Sequence, residues 1–277
     1  MNRPVLWIAL ISVTAFSAYA QQFTAESFFD VRKIDGGKSI QIVGYMGLGG
    51  EVRIPPYIQG LPVTSIGDSA FWAKQLTGVV IPNKVTHIMR RAFYKNELVR
   101  VVIPNSVTHI GEQAFEDNKL TNIVIPNKVE HIGDGAFSFN YINRIAIPPG
   151  VSYIGNGAFS FNDLVEVTIP QGVTRIGAGA FLANRITTVA IPYGVTYIGY
   201  GAFWENRITR VVIPNSVTNI DNSAFWENRL ARVDIPNSVA NIGDLAFQGN
   251  RLTGVSVPSY TNVHPGAFDR GVTIIRR

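Results

Sequence analysis

The 277-residue chain contains no cysteine. That excludes disulfides, thiolate metal sites, a cysteine nucleophile and a lipidated N-terminal cysteine, so stability has to come from packing. It also lacks a glycine-rich phosphate loop after a strand and an H-E-x-x-H pair; no catalytic residue, cofactor or metal is expected. Net charge is small. The 24 Lys and Arg against 19 Asp and Glu leave +5, which mildly favours anionic partners and does not point to nucleic acid. One long apolar run exists, Val5 to Phe16, with Arg3 before it and Ala18-Tyr19-Ala20 after it. This is the layout of an export signal cleaved before Gln21, and the run falls short of the about 20 residues a membrane span needs. The expectation is an exported protein, secreted, at the cell surface or periplasmic, with no membrane span after cleavage.

What the chain does have is repetition. Prolines fall at Pro82, Pro104, Pro126, Pro148, Pro170, Pro192, Pro214, Pro236 and Pro258, a constant spacing of 22. Ala-Phe recurs at the same interval from Ala70-Phe71 to Ala246-Phe247, and once more, one residue early, at Ala267-Phe268. A period of this length marks a solenoid in which each repeat is one coil. Within the unit from Leu120 to Tyr141, Leu120 to Ile125 reads as a strand with Ile123 and Ile125 inward. Pro126-Asn127-Lys128 reads as a turn and Val129 to Ile132 as a second short extended piece. Gly133 to Phe137 should bend back as a helical or 3-10 turn. The phenylalanines fill the coil interior. Asparagines from Asn96 to Asn250, one per coil, sit in an apolar surround, where buried amides need partners, and an asparagine ladder supplies them.

Before the period begins, Val31 to Ile34 and Ser39 to Val43 flank Asp35-Gly36-Gly37-Lys38, a hairpin signal. The division expected is a signal over 1–20, a β-hairpin cap over 21–53, repeats over 54–258 and a capping repeat over 259–277. Pro56 to Gly60 reads as an insertion in the first coil. Leu61-Pro62-Val63-Thr64-Ser65 is like a sortase signal, but Val63 and Ile66 occupy core columns, so it is read as structural.

The pattern L-x-x-V-x-I-P-x-x-V-x-x-I-G-x-x-A-F-x-x-N, over about residues 54–277, resembles the BspA-like leucine-rich repeats of bacterial surface proteins. The resemblance implies a leucine-rich-repeat solenoid: a curved right-handed superhelix with parallel strands on its concave face and short strands and turns on the convex side. It also implies export and a role in adhesion or partner binding, and it brings no catalytic residues. Asparagine replaces the cysteine that many members have at the ladder position, and the period is 22 where 23 is commoner.

Three surfaces could carry function. One is the exposed strand column Val80, Val102 and Val124, an apolar trough. The second is the column His87, His109 and His131, close enough to share a metal, although Tyr153, Arg175, Tyr197 and Asn219 continue it and make ordinary filling the better reading. The third is basic: Arg185, Arg207, Arg229 and Arg251 in one column, Arg210 and Arg232 in another, with Trp204 and Trp226 nearby and Glu205 and Glu227 placed to neutralise part of the charge. Glu205 and Glu227 are also spaced like a retaining glycosidase pair, but each has an arginine beside it. Tryptophan with arginine is enriched at binding hot spots, so the basic surface is taken as the partner-binding site. The function expected is non-enzymatic binding or adhesion to a protein or acidic glycan, the alternative being an envelope or periplasmic spacer without a dedicated ligand.

Overall fold

A computed structural model describes residues 22–277. The expected signal segment and its junction at Gln21 lie outside the described residues. Two kinds of corner turn each period into a coil. At the first, the Val129 amide donates to the Pro126 carbonyl at 3.0 Å, closing a tight turn over Asn127 and Lys128. At the second, left-handed residues flank Ala136-Phe137, Gly135 with φ 63° and Phe139 with φ 53°. They permit isolated i→i−3 bonds, Ala136 to Gly133 at 3.2 Å and Ser138 to Gly135 at 3.0 Å, but stop these from propagating into a helix. The segment expected as a helical or 3-10 turn is therefore a pair of isolated hydrogen-bonded turns that does not continue into a helix. Gly133 shows why its column is mostly glycine: a Cβ there would lie 2.5 Å from the Glu112 nitrogen of the preceding coil.

Stacked coils form a β-solenoid of about 11 turns with parallel strands. One ladder is continuous. It starts in the antiparallel hairpin of Phe29–Ile34 and Ser39–Tyr45, whose turn at Asp35, Gly36 and Gly37 is left-handed throughout. It passes through Leu61–Ile66 and then through two-residue strands, from His87–Ile88 to Asn262–Val263. The insertion is itself a small hairpin. Tyr57–Ile58 pairs with Leu61 and Pro62 around left-handed Gln59 and Gly60, and Val63 and Ile66 are fully buried, as a structural role for this stretch requires.

The opposite face differs from expectation. Its ladder is broken into separate sheets: Gly50–Arg53 with Leu76–Val80 and Arg100–Val102, then Arg144–Ala146 with Glu166–Thr168, Thr188–Ala190 with Arg210–Val212, and Gly254–Val257 with Thr273–Arg276. The strand expected over 120–125 is absent; the segment is extended and its Leu120, Ile123 and Ile125 are buried, but it belongs to no ladder. Inside the coils, fully buried rings from Phe115 to Phe247 stack at 5.3–5.7 Å. Tyr45 packs at a tilt against Phe71 at 5.2 Å at one end and Phe268 stacks on Phe247 at 5.3 Å at the other, so the column is covered at both ends.

Asparagine locks the coils in register. Asn140 Nδ2 donates to the carbonyls of Phe137 in its own coil (3.2 Å) and Phe115 in the preceding one (2.9 Å), while its Oδ1 accepts from the Leu120 amide at 3.0 Å. The pattern repeats from Asn96 to Asn250. Two tests follow. Deleting residues 120–141, one whole period, should leave cooperative unfolding intact, whereas deleting half a period should abolish it. In denaturant titrations, Phe137→Ala should cost about 3–5 kcal/mol. Asn140→Ala should cost about 3 kcal/mol, because each buried group left unpaired costs about 1–3 kcal/mol.

Candidate functional site

The basic residues predicted to form one surface occupy two places. Arg185, Arg207, Arg229 and Arg251 directly follow the ladder asparagines, and their amides are tied to Leu164, Ile186, Ile208 and Leu230 of the preceding coils at 2.9–3.0 Å. The asparagine corner thus sets one arginine per coil. Arg185, Arg207 and Arg229 rim a shallow depression with Ala183 and Glu205, over the ladder amides of Asn162, Asn184 and Asn206. Arg210 and Arg232 instead line a second depression on the broken-sheet face, with Val212 and Asp234. The structure does not bring the two columns into one site.

Pairing separates these arginines further. Arg185 bridges Asp163 at 2.9 Å and Arg232 bridges Asp234 at 3.1 Å. Both pairs are exposed and contribute little to stability. Among the described residues, no carboxylate lies within 4.0 Å of the Arg207, Arg210, Arg229 or Arg251 guanidinium. Glu205 and Glu227 therefore do not neutralise their neighbours by direct contact. Trp204 and Trp226 stack on each other at 4.5 Å and are half-buried. They line neither depression, and the Trp204 indole nitrogen is buried without a hydrogen-bond partner.

The valine column is exposed as expected on the broken-sheet face: Val102 is 76% and Val124 81% accessible, and Val99 adds to the same patch. The histidine column lies on the continuous sheet. His87 and His109 rings stack at 4.6 Å and 12°, and His109 meets His131 at 6.1 Å and 34°. Their Nδ1 atoms face Thr86 and Thr108 Oγ1 at 2.8 Å. The rings thus lie over one another and do not converge on a common point. Among the described residues no group of three His, Asp or Glu side chains is placed to hold a metal ion. Further along, Arg175 lies over the Tyr197 ring at 4.4 Å, and Tyr197 donates to Asp221.

One group was missed by sequence reasoning. Phe139 and Phe161 stack at 4.4 Å outside the core, and Tyr141, two residues after Phe139, is exposed as well. The signal was present in the columns: other coils carry Lys95, Asp117, Ala183, Glu205 or Glu227 where these phenylalanines stand.

A sequence profile described as the BspA type leucine rich repeat region matches residues 64–185 and again 161–274. The chain belongs to the BspA-type leucine-rich-repeat family. Solved structures agree in fold. A leucine-rich cell surface protein from Faecalibacterium prausnitzii A2-165 is 26% identical with a TM-score of 0.67, over 92% of this chain and 76% of that one. A leucine-rich-repeat protein from Bacteroides ovatus ATCC 8483 is 21% identical with a TM-score of 0.68, over 90% and 66%. The T. pallidum leucine-rich-repeat protein is 28% identical with a TM-score of 0.58, over 66% and 89%. No curated protein matches. Among the described residues no helix is long and apolar enough to cross a membrane.

In this BspA-type solenoid the imidazole stack predicts a pH dependence. Burial, reinforced by neighbouring His109 and opposed by Asp35, holds His87 below the ordinary imidazole range. A base whose folded pKa is depressed binds its proton more readily when unfolded. Its contribution to stability is complete above the ordinary imidazole range and declines as pH falls through that range towards the lower folded value. Denaturant midpoints at pH 8 and pH 5, measured for the natural chain and for His87→Asn, should show a smaller acid loss in the variant; asparagine already fills this column at Asn219 and Asn241.

Proposed function

We propose that the protein is an exported, non-enzymatic binding protein that presents a rigid leucine-rich-repeat surface to an acidic partner. The observation that carries this reading is the run of arginines without ion pairs. Arg207, Arg229 and Arg251 are held one per coil by backbone bonds to the preceding coil, and none of them has a carboxylate within 4.0 Å among the described residues. A rigid series of guanidinium groups suits carboxylate, sulfate or phosphate, which it can grip bidentately. Membership of a repeat family and likeness to a protein described as a cell surface protein support binding at or beyond the cell envelope.

One observation favours a second reading. Val80, Val99, Val102 and Val124 form an exposed apolar patch on the N-terminal half, and contiguous apolar surface marks protein contacts. A pair of variants with matched thermal stability separates the two. One changes Arg207, Arg210, Arg229 and Arg232 to Gln; the other changes Val80, Val102 and Val124 to Thr. In pull-downs from surface and matrix proteins and glycans, the arginine variant should lose binding, and binding to the natural chain should weaken with added salt, since exposed charges are screened beyond about 8 Å at physiological ionic strength. Loss in the valine variant alone, or indifference to salt, would move the site to the apolar patch. Saturable binding to nothing on either panel would leave the protein a spacer.

A further inference from the structure

The arginine edge begins with aromatic rings. Phe139 and Phe161 stand one position before the ladder asparagines and Tyr141 one position after, in the coils that lead into Arg185 and Arg207. The two phenylalanine rings are 48% and 42% accessible, and Tyr141 is 55% accessible. Their 4.4 Å stack is closer than the spacing between neighbouring phenylalanines of the core column, which is 5.0 Å or more. Both are left-handed at φ 53°, a conformation that is strained for a bulky side chain. The fold does not demand phenylalanine here. Ala183, Glu205 and Glu227 adopt the same conformation in other coils and leave the asparagine bridges unchanged. An aromatic pair that is exposed, strained and dispensable for folding points to a ligand. Ala183 follows Phe161 in the column, and the depression rimmed by Arg185, Arg207 and Arg229 opens over it.

We infer that this edge binds a linear polyuronate, an acidic polysaccharide with one carboxylate on each sugar. The inference rests on the acidic-partner reading above and names its ligand. Repetition and chemistry support it. Arginines recur once per coil, and the core rings of the same coils are 5.3–5.7 Å apart, so a polymer with regularly repeated carboxylates can engage several guanidinium groups at once. A pyranose ring has an apolar C–H face that packs on Phe161 or Tyr141, while its carboxylate accepts a forked pair of N–H bonds from arginine. Arg207, Arg229 and Arg251 are free of ion pairs among the described residues, and Arg185 would exchange its exposed Asp163 partner.

The test is a calorimetric titration of the full chain with oligogalacturonates of increasing length, with methyl-esterified oligogalacturonate and poly-L-glutamate as comparators. Affinity should rise with length and level off once the oligomer covers Arg185 to Arg251. It should fall about tenfold on esterification, as expected when charge-assisted contacts are lost. Arg207→Gln with Arg229→Gln, and separately Phe139→Ala with Phe161→Ala, should each weaken binding about tenfold. Thermal unfolding of each variant, run alongside, confirms that the solenoid is intact. If poly-L-glutamate binds as tightly as the matching oligogalacturonate, the acidic-partner reading stands and the polyuronate inference is overturned. An unchanged phenylalanine variant overturns the aromatic contribution to it. If no anion binds, both the inference and the reading beneath it fall.

Discussion

A single carboxamide joins each coil to the one before it. The ladder asparagine donates to two phenylalanine carbonyls, one in each coil, and accepts from the amide that starts the next buried segment of the preceding coil, as Asn162 does with Phe137, Phe159 and Ile142. These groups lie where the chain turns and no strand ladder can pair them. A buried amide or carbonyl left without a partner is costly, so the corner has one good solution and repeats it from Asn96 to Asn250. The phenylalanine stack then fills the interior at the spacing these corners set. Because a single-residue slip would break every bridge at once, the register of all other columns is fixed by this interaction.

That register orders the surface. Side chains between the core columns are free to vary, and each exposed column becomes a row of groups about one coil apart. The same scaffold therefore displays an imidazole and tyrosine row on the continuous sheet, a valine patch on the broken face and an arginine row at the asparagine corner. Exposed pairs such as Arg185–Asp163 and Arg232–Asp234 add little stability. Rows of this kind can change by substitution with small effect on folding, because the core is set by Ala, Phe, Ile and Asn, and this suits the binding role proposed above.

The fold was largely legible in the sequence because its determinants are residue types with narrow uses: proline at the turn, Ala-Phe inside, asparagine at the corner, Asp-Gly-Gly in the cap. Two features were not. The ladder on the broken face stops at Asn122, between Glu166–Thr168 and Thr188–Ala190, and at Asp234, although the same column pattern runs through the coils that do pair. The pair of turns after Gly133 depends on left-handed residues, and in many coils these are not glycine but Gln113, Asp117 or Phe139. The candidate site was legible only in part. Column arithmetic placed the arginines correctly within their rows, but it could not show that Arg210 and Arg232 face a different depression from Arg207 and Arg229. Nor did it single out Phe139 and Phe161, since phenylalanine was already assigned to the core.

Native-state hydrogen exchange tests the central role of the asparagine bridge most directly. The amides of Leu98, Leu120, Ile142, Leu164, Ile186 and Ile208 each donate to an asparagine Oδ1. If the bridge holds the coils in register, these amides exchange only through global unfolding, and replacing Asn140 with alanine speeds exchange at Leu120 and at the amides of the two coils it joined. Exchange at Leu120 that is fast in the natural chain, or unaltered by loss of the Asn140 side chain, would contradict the account.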